Sequence, residues 1–201
     1  MVTAPRTRTP SADVRSALLE AAARLLETSG PDALSVRRIA AEAHVAPMGV
    51  YNHFNGKHGV VEALWIDGFD RLRATMESLA AIEDPGEALV EGFRRYRALA
   101  LAHPMVYRLM FLKAVPGFDP SADAAWTAAL SFEALVGAVR RAMEAGAVAD
   151  GDAVQMAQVV WAAVHGWVSL ELDGMIFLAD AEAGADAMAR SLVAGFRIPQ
   201  H

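Results

Sequence analysis

Hydrophobic residues recur every three or four positions along most of the chain, which is the spacing of an amphipathic helix. No stretch shows the sustained alternation of apolar and polar residues that indicates a strand. We therefore predict an all-α protein of about nine helices. The first helix is expected to run from Ser11 or Ala12 to Ser29, because Gly30-Pro31 then ends it.

The segment from Leu34 to Lys57 predicts two short helices joined by a tight turn. Ser35 can cap the first of them, because its hydroxyl accepts a hydrogen bond from a free amide of the first turn. The pattern breaks at His44-Val45-Ala46, and Pro47 suits the first position of a new helix. Val50 and Phe54 lie four residues apart and are expected to anchor this second helix to a core.

That anchoring leaves Met48, Gly49, Tyr51, Asn52 and His53 on the outward face of the second helix. An asparagine can pair with adenine, and tyrosine and lysine side chains can reach phosphates. The pattern therefore predicts a DNA-reading helix-turn-helix. A structural corner in some other helical protein is the alternative. The residues expected to contact DNA are Ser35, Val36, Arg37, Pro47, Met48, Gly49, Tyr51, Asn52, His53 and Lys57.

From Ser35 to Lys57 the chain reads S-V-R-R-I-A-A-E-A-H-V-A-P-M-G-V-Y-N-H-F-N-G-K, which resembles the tetracycline-repressor (TetR-type) family of bacterial regulators. The chain departs from the family pattern at the turn glycine, here His44, which must take a positive φ. It also departs at the capping serine, here Ala46, and at Met48 and Gly49. The resemblance implies a ligand-responsive repressor that dissociates from a pseudo-palindromic operator when an effector binds.

Three domains are expected: a flexible arm at 1–10, a helix-turn-helix domain at 11–57, and a helical ligand-binding and dimerisation domain at 58–201. Arg6 and Arg8 in the arm could touch the DNA backbone or minor groove, although simple disorder at a terminus is the alternative. A long helix should begin at Lys57. The other helices of the third domain are predicted at 87–103, 104 to about 114, 123–145, 152–174 and 185 to about 197.

The helix predicted from Asp152 to Gly174 carries apolar residues all around its circumference. Such a helix is buried on all sides, in its own domain and against another subunit. The resemblance implies a homodimer formed through the last two helices. Its tentative interface is Trp167, Leu170, Met188, Leu192 and Phe196. The stretch W-A-A-V-H-G-W at 161–167 is also similar to a subgroup of the family with a Trp/His-Gly motif.

Large aromatic side chains are spread over the third domain, and some could line a cavity for an apolar or aromatic small molecule. Aromatic side chains at helical spacing normally pack in the core, which is the alternative for each of them. His165 is notable because a titratable group on an apolar helix needs a polar partner. The tentative ligand residues are Phe93, Tyr96, Tyr107, Phe111, Trp126, Trp161 and His165.

The charge distribution favours a protein that binds DNA with one end, and the composition excludes disulfides. Residues 1–60 carry seven basic and five acidic side chains, whereas the rest of the chain is acidic and the whole has a net charge of −6. A basic end on an acidic body is expected when one end meets phosphate. With no cysteine, no disulfide or thiolate metal site can form. A soluble, cytoplasmic protein with no membrane partner is expected, since no signal peptide or long apolar run is visible.

No catalytic motif is present, and His53 and His58 have the wrong spacing to share a metal ion on one helix face. We therefore expect no enzyme activity, no cofactor and no metal. The expected partners are a double-stranded DNA operator, a small-molecule effector and a second copy of the chain. The alternatives are a small helical enzyme or lipid carrier with a vestigial helix-turn-helix, or a helical scaffold protein without a ligand.

Overall fold

The computed structural model describes residues 11–197, so the predicted arm at 1–10 with Arg6 and Arg8 lies outside the described residues. Within 11–197 there are nine α-helices and two 3₁₀ turns, and no strand. The all-α prediction is therefore confirmed. The helices are α1 (Ser11–Ser29), α2 (Val36–Glu42), α3 (Pro47–Phe54), α4 (Lys57–Ser78), α5 (Pro85–Ala102), α6 (Pro104–Phe111), α7 (Ala122–Glu144), α8 (Ala153–Leu172) and α9 (Ala181–Gly195).

Aspartates start three of the later helices. The carboxylate of Asp84 accepts hydrogen bonds from two amides of the first turn of α5, and Asp152 does the same for α8, as its position predicted. Asp180 caps α9 by accepting from the amide of Ala183 at 2.9 Å. These side chains satisfy amide groups that have no partner inside the helix.

Two helices differ in length from the prediction. Helix α6 ends at Phe111 rather than near residue 114, and the backbone at Lys113 then takes a positive φ of 51°. Helix α9 begins at Ala181 rather than at Ala185. The segment 181–184 was not predicted as helix because it contains Gly184, and glycine lowers helix propensity.

The first compact unit consists of residues 11–67 together with the segment Met105–Ser121. Helices α1, α2 and α3 pack around buried side chains that include Leu18, Ile39 and Val50. This division differs from the predicted boundary between residues 57 and 58. The segment Met105–Ser121 also buries apolar side chains, namely those of Tyr107, Leu109, Met110, Val115 and Phe118.

The second compact unit consists of Gly68–Pro104 together with residues 122–197. Helix α5 lies at its centre, since it packs against α7, α8 and α9. Two glycines lie against neighbouring side chains. A Cβ at Gly92 would lie 2.8 Å from Cδ1 of Leu79, and one at Gly184 would lie 2.5 Å from Cδ1 of Leu178 and 2.8 Å from the indole ring of Trp167. A larger residue at either position would therefore displace these side chains.

Helix α8 buries a single stripe within the protomer. The buried side chains follow helical spacing at Ala157, Val160, Val164 and Val168. Val154, on the same helix, is 47% exposed, although the whole helix was expected to be buried. The apolar residues outside the buried stripe remain accessible, so the predicted contact of this helix with another subunit stays a prediction.

One described helix, α7, is long and apolar enough to cross a membrane by length and composition alone. Core helices of soluble proteins pass the same test, so a single such helix is weak evidence for a membrane span. In this structure α7 packs against α5 and α8 and buries Val136 and Val139 completely.

Candidate nucleic-acid interface

Helix α2 begins as the sequence predicted. Ser35 has extended backbone angles, and its hydroxyl accepts a hydrogen bond from the amide of Arg38 at 3.3 Å. Ile39 and Ala40 are buried in the first unit, whereas Arg37 and Arg38 are exposed. The helix therefore presents its basic side chains to solvent.

The turn after α2 depends on one residue in the left-handed region. His44 has a φ of 57°, which confirms the prediction for this position. Its amide bonds the carbonyl of Ala41, and the amide of Val45 bonds the carbonyl of Ala40 at 2.9 Å. This pair of hydrogen bonds defines a Schellman motif, which reverses the chain within a few residues.

Helix α3 is fixed by its buried side. Pro47 occupies its first turn, and Ala46 before it makes no side-chain capping bond, as the alanine predicts. Val50 is fully buried and Phe54 is 7% exposed. The guanidinium of Arg15 on α1 lies 5.0 Å from the centre of the Phe54 ring, which adds a cation–π contact. No sequence pattern predicts this contact.

The opposite side of α3 is accessible. Met48 is 63% and Tyr51 is 53% exposed, and Asn52 and Lys57 are also exposed. His53 is half-buried. Side chains of these types on one rigid helix can contact base edges and phosphates in a major groove.

Gly49 differs from the expectation that it faces outward. It is half-buried, and a Cβ at this position would lie 3.6 Å from Val45 and 3.9 Å from Leu18. Position 49 therefore faces α1. The expectation was wrong because it considered only the spacing from Val50 and Phe54. Helix α1 also covers the side of α3 that carries Gly49.

The junction between α3 and α4 contains a close approach that the sequence analysis missed. A Cβ at Gly59 would lie 1.7 Å from the carbonyl oxygen of Phe54, far inside any allowed contact. Asn55 closes α3 in the left-handed conformation with a φ of 56°. Together these two residues set the direction in which α4 leaves the recognition helix.

A second candidate site lies within the second unit and contains three of the predicted ligand residues. The indole N–H of Trp161 donates to the hydroxyl oxygen of Tyr96 at 3.4 Å. That hydroxyl lies 3.2 Å from Nδ1 of His165. Because an indole can only donate, the Tyr96 hydroxyl accepts from Trp161, and it can donate to Nδ1 of His165 in the tautomer that carries the imidazole hydrogen on Nε2. Burial lowers the pKa of His165, which favours this neutral form.

An aromatic side chain outside the tentative set of ligand residues completes this cluster. The ring of Phe132 on α7 lies 6.0 Å from that of Trp161, and the ring of His165 lies 5.8 Å from it. Flat apolar surfaces and a polar Tyr–His pair thus occur side by side, which suits a flat apolar molecule with one polar group.

The other predicted ligand residues lie elsewhere. Phe93 is buried on α5, one turn before Tyr96. Trp126 is 67% exposed on α7. Tyr107 and Phe111 belong to the first unit, where their rings pack 5.1 Å apart. Their assignment to one cavity with His165 came from aromatic character alone, which does not indicate which residues share a unit.

Among the predicted dimer residues, Leu170 is 47% exposed, whereas Met188, Leu192 and Phe196 are half-buried. Trp167 packs against Gly184 of its own chain, and its indole nitrogen is buried without a hydrogen-bond partner among the described residues. The loop after α8 adds apolar exposure that the sequence analysis did not note, at Met175, Phe177 and Leu178.

No group of three or more His, Asp or Glu side chains that could hold a metal ion occurs within residues 11–197. Several acidic side chains of the second unit instead pair with arginines. Arg97 and Glu171 form the most buried of these pairs, with side chains 17% and 13% exposed.

Two family descriptions match the sequence. "Bacterial regulatory proteins, tetR family" matches residues 18–64, and "Tetracyclin repressor-like, C-terminal domain" matches residues 89–196, which is more than half of the chain. The chain therefore belongs to the TetR family of DNA-binding transcriptional regulators. The predicted family and the predicted class of function are both confirmed.

Individual relatives agree with this assignment. An uncharacterized HTH-type transcriptional regulator of Mycobacterium tuberculosis is 25% identical over 181 residues, which cover 90% of this chain and 80% of the relative. A protein of unknown function from Rhodococcus sp. RHA1 is 29% identical, with a TM-score of 0.83 over 98% of this chain and 100% of that one. The TetR transcriptional regulator SCO0520 from Streptomyces coelicolor is 27% identical, with a TM-score of 0.59 over 92% of this chain and 99% of that one.

Proposed function

We propose that this regulator is a homodimeric, cytoplasmic repressor that leaves a pseudo-palindromic operator when a small apolar or aromatic effector binds. The observation that carries the proposal is the exposed face of α3, with Tyr51 and Asn52 accessible above the buried anchors Val50 and Phe54. In a dimer two such helices enter successive major grooves, with half-sites about 34–36 Å apart or a multiple of that distance.

Contacts to bases make the affinity depend on the DNA sequence, whereas contacts to phosphates do not. Asn52→Ala should weaken binding by about 1–3 kcal/mol at one base pair of each half-site and relax specificity there. Lys57→Ala should weaken binding to all sequences and reduce the dependence of affinity on salt.

The direct test is salt-dependent binding of the purified protein to DNA upstream of its own coding sequence, compared with scrambled DNA. The chain has only two lysines, so Lys113→Ala in the loop after α6 is a matched control for Lys57→Ala. Normal operator binding by both the Asn52 and Lys57 variants would refute the proposed placement of α3 in the groove.

The proposed effector site is the cluster of Tyr96, Phe132, Trp161 and His165 in the second unit. Effector and DNA must oppose each other reciprocally, with a coupling free energy of typically about 1–3 kcal/mol. The protein acts by binding alone, without metal, cofactor or catalysis, so the effector should be recovered unchanged after prolonged incubation.

The effector is found by screening small aromatic and apolar compounds for release of labelled operator DNA. Tyr96→Phe keeps the ring but removes the hydroxyl that Trp161 and His165 bond, so it should weaken the response to the best compound and leave operator affinity intact. Trp126→Phe, at an exposed position of α7, is the control. An unchanged response in the Tyr96 variant would exclude this cluster.

The proposed dimer uses the exposed apolar surface of α8 and of the loop that follows it, including Leu170 and Phe177. Leu170→Asp should produce monomers in analytical ultracentrifugation and reduce operator affinity, because a monomer contacts only one half-site. Leu101→Asp is the control, since Leu101 near the end of α5 is also an exposed leucine, 37% exposed against 47% for Leu170, and lies outside α8 and the loop that follows it. A dimeric Leu170 variant would refute this interface.

A further inference from the structure

Helix α6 is attached to α1 through a single carboxylate. The two oxygens of Glu27, near the end of α1, accept hydrogen bonds from the amides of Met105 and Val106 at 3.0 and 3.1 Å. These amides belong to the first turn of α6, where no carbonyl of the helix itself can accept them. A carboxylate is also favoured there by the helix dipole.

The other end of the segment Met105–Ser121 is attached to α4 in the same way. A carboxylate oxygen of Glu62 accepts from the amide of Ser121 at 3.0 Å. Hydrogen bonds from the amide and the side chain of Ser121 hold the pKa of Glu62 below its usual range. One turn earlier on α4, the ring of His58 lies 5.4 Å from that of Phe118.

The two helices that receive these bonds also position the recognition helix. Near its start, α1 packs against position 49 through Leu18 and places Arg15 over the Phe54 ring. The first turn of α4 contacts the end of α3, where Gly59 lies against the carbonyl of Phe54. The recognition helix is therefore held between two helices that the segment Met105–Ser121 connects.

We propose that Glu27 and Glu62 are positioning residues that hold the segment Met105–Ser121 across α1 and α4 and so set the orientation of the recognition helix. The DNA-binding unit is completed by residues that lie 59 to 79 positions away in the sequence. This inference rests on the proposed DNA binding through α3, but its structural part can be tested without DNA.

Replacing each glutamate with glutamine tests the role of its carboxylate while nearly preserving the size of the side chain. Glutamine at position 27 has one carbonyl oxygen, and its NH₂ group would face a backbone N–H that also donates. Glu27→Gln should therefore break one of the two bonds and leave a part-buried amide without an acceptor, at nearly constant side-chain volume. Glu62→Gln should weaken the bond to Ser121 by removing its charge.

The experiment compares full-length wild type with Glu27→Gln, Glu62→Gln and the control Glu42→Gln. Glu42 is an exposed glutamate of the same unit that pairs with Arg24. Removing any negative charge from the head should by itself strengthen binding to DNA. We expect the control to bind operator as tightly as wild type or more tightly, and the two positioning variants to bind it roughly fivefold more weakly or worse.

Hydrogen exchange separates positioning from general stability. Measured at a temperature where circular dichroism shows each protein fully folded, Glu27→Gln and Glu62→Gln should lose amide protection in 105–121 and in α3, while α9 keeps its protection. Their salt dependence of DNA binding should match wild type, since no phosphate contact is removed.

Unchanged protection of α3 in both variants, with operator affinity equal to wild type, would overturn the proposal. If Glu27→Gln does not fold, Glu27→Asp keeps the charge on a shorter side chain and must show a partial loss of α3 protection. Failure of wild type to bind any operator would refute the proposed function instead, whereas loss of α3 protection in the variants would still support the positioning role.

Discussion

The two compact units differ in how carboxylates join segments that are far apart in the sequence. In the first unit, Glu27 and Glu62 accept backbone amides of the segment Met105–Ser121. In the second unit, aspartates cap helix ends, but the carboxylates that join distant helices pair with arginines. Glu171 on α8 bonds Arg97 on α5, with 2.7 Å between its Oε2 and Nε of the arginine, and further pairs join α5 to α9.

This difference suits a unit that has to leave basic side chains accessible. Arg37, Arg38 and Lys57 of the first unit are exposed and therefore accessible to phosphate, whereas Arg24 pairs with Glu42. Acidic groups that accept backbone amides can join helices without engaging the exposed basic groups. In the second unit, mutual pairing holds α5 to α8 and α9, and the hydrogen bonds that Arg94 and Arg97 donate to their acidic partners raise the pKa values of both arginines.

The largest loss of stability is expected from a substitution at Gly59 in the first unit. Gly59→Ala should destabilise the protein by about 3 kcal/mol or more, because the new Cβ would overlap the carbonyl of Phe54 and force α3 and α4 apart. Operator binding should be lost with it. Urea unfolding and hydrogen exchange are the measurements, and protection should fall first in α3.

Gly137→Ala is the control for this change, since a Cβ there meets nothing within 4 Å on α7. It should be neutral or stabilising by up to about 1 kcal/mol, as alanine favours helix. Equal destabilisation by both substitutions would mean that the contact at Gly59 is not the cause.

The second largest effect tests the pairing in the second unit. Glu171→Gln leaves the largely buried Arg97 without its charged partner and should cost about 2 kcal/mol in the free energy of unfolding. Glu42→Gln breaks the exposed pair with Arg24 and should cost less than about 1 kcal/mol. Similar costs for the two would show that burial does not distinguish the pairs.

A smaller effect should appear as pH falls. Burial lowers the pKa of His165 in the folded protein, so the unfolded chain takes up this proton first, near the usual histidine pKa of about 6.5. The contribution of neutral His165 to the free energy of unfolding is fully present above that pH. It is progressively lost as the pH falls from there toward the folded-state pKa of His165. The free energy of unfolding, measured from pH 8 to pH 5.5, should therefore decline at the acid end.

His165→Gln should flatten that decline, whereas His103→Gln, at an exposed position of the same unit, should leave it unchanged. A decline that persists in the His165 variant would assign the proton to another group.

The smallest effect concerns the turn of the first unit. His44→Gly should stabilise the protein by about 1 kcal/mol, because glycine removes the Cβ strain at a φ of 57° while adding some freedom to the unfolded chain. Thermal unfolding is the measurement. A destabilised glycine variant would show that the His44 side chain makes a contact worth more than the strain.

Local chemistry explains why the sequence predicted the helix-turn-helix so closely. Ser35 caps α2, His44 takes the left-handed conformation, Pro47 starts α3, and Val50 and Phe54 are buried. Each of these features depends on residues within one or two helical turns. The family motif, the helix class and the DNA-binding role follow from such short-range patterns.

Long-range packing explains what the sequence did not predict. Tyr107 and Phe111 lie in the first unit, and Trp126 is exposed, although all three share the aromatic character of Trp161. Periodicity indicates that a residue belongs to an apolar face, but it does not indicate which helix covers that face. The direction of Gly49 was missed for the same reason.

By itself the sequence determined the succession of helices and the turn between α2 and α3, because helix capping, a left-handed turn residue and helical spacing act over a few residues. Only the tertiary structure decided that the segment Met105–Ser121 packs with α1 and the start of α4 in one unit and that Tyr96 bonds both Trp161 and His165. Those contacts join residues that are 59 to 79 positions apart, and the energy that selects them comes from packing, which a local sequence pattern does not reveal.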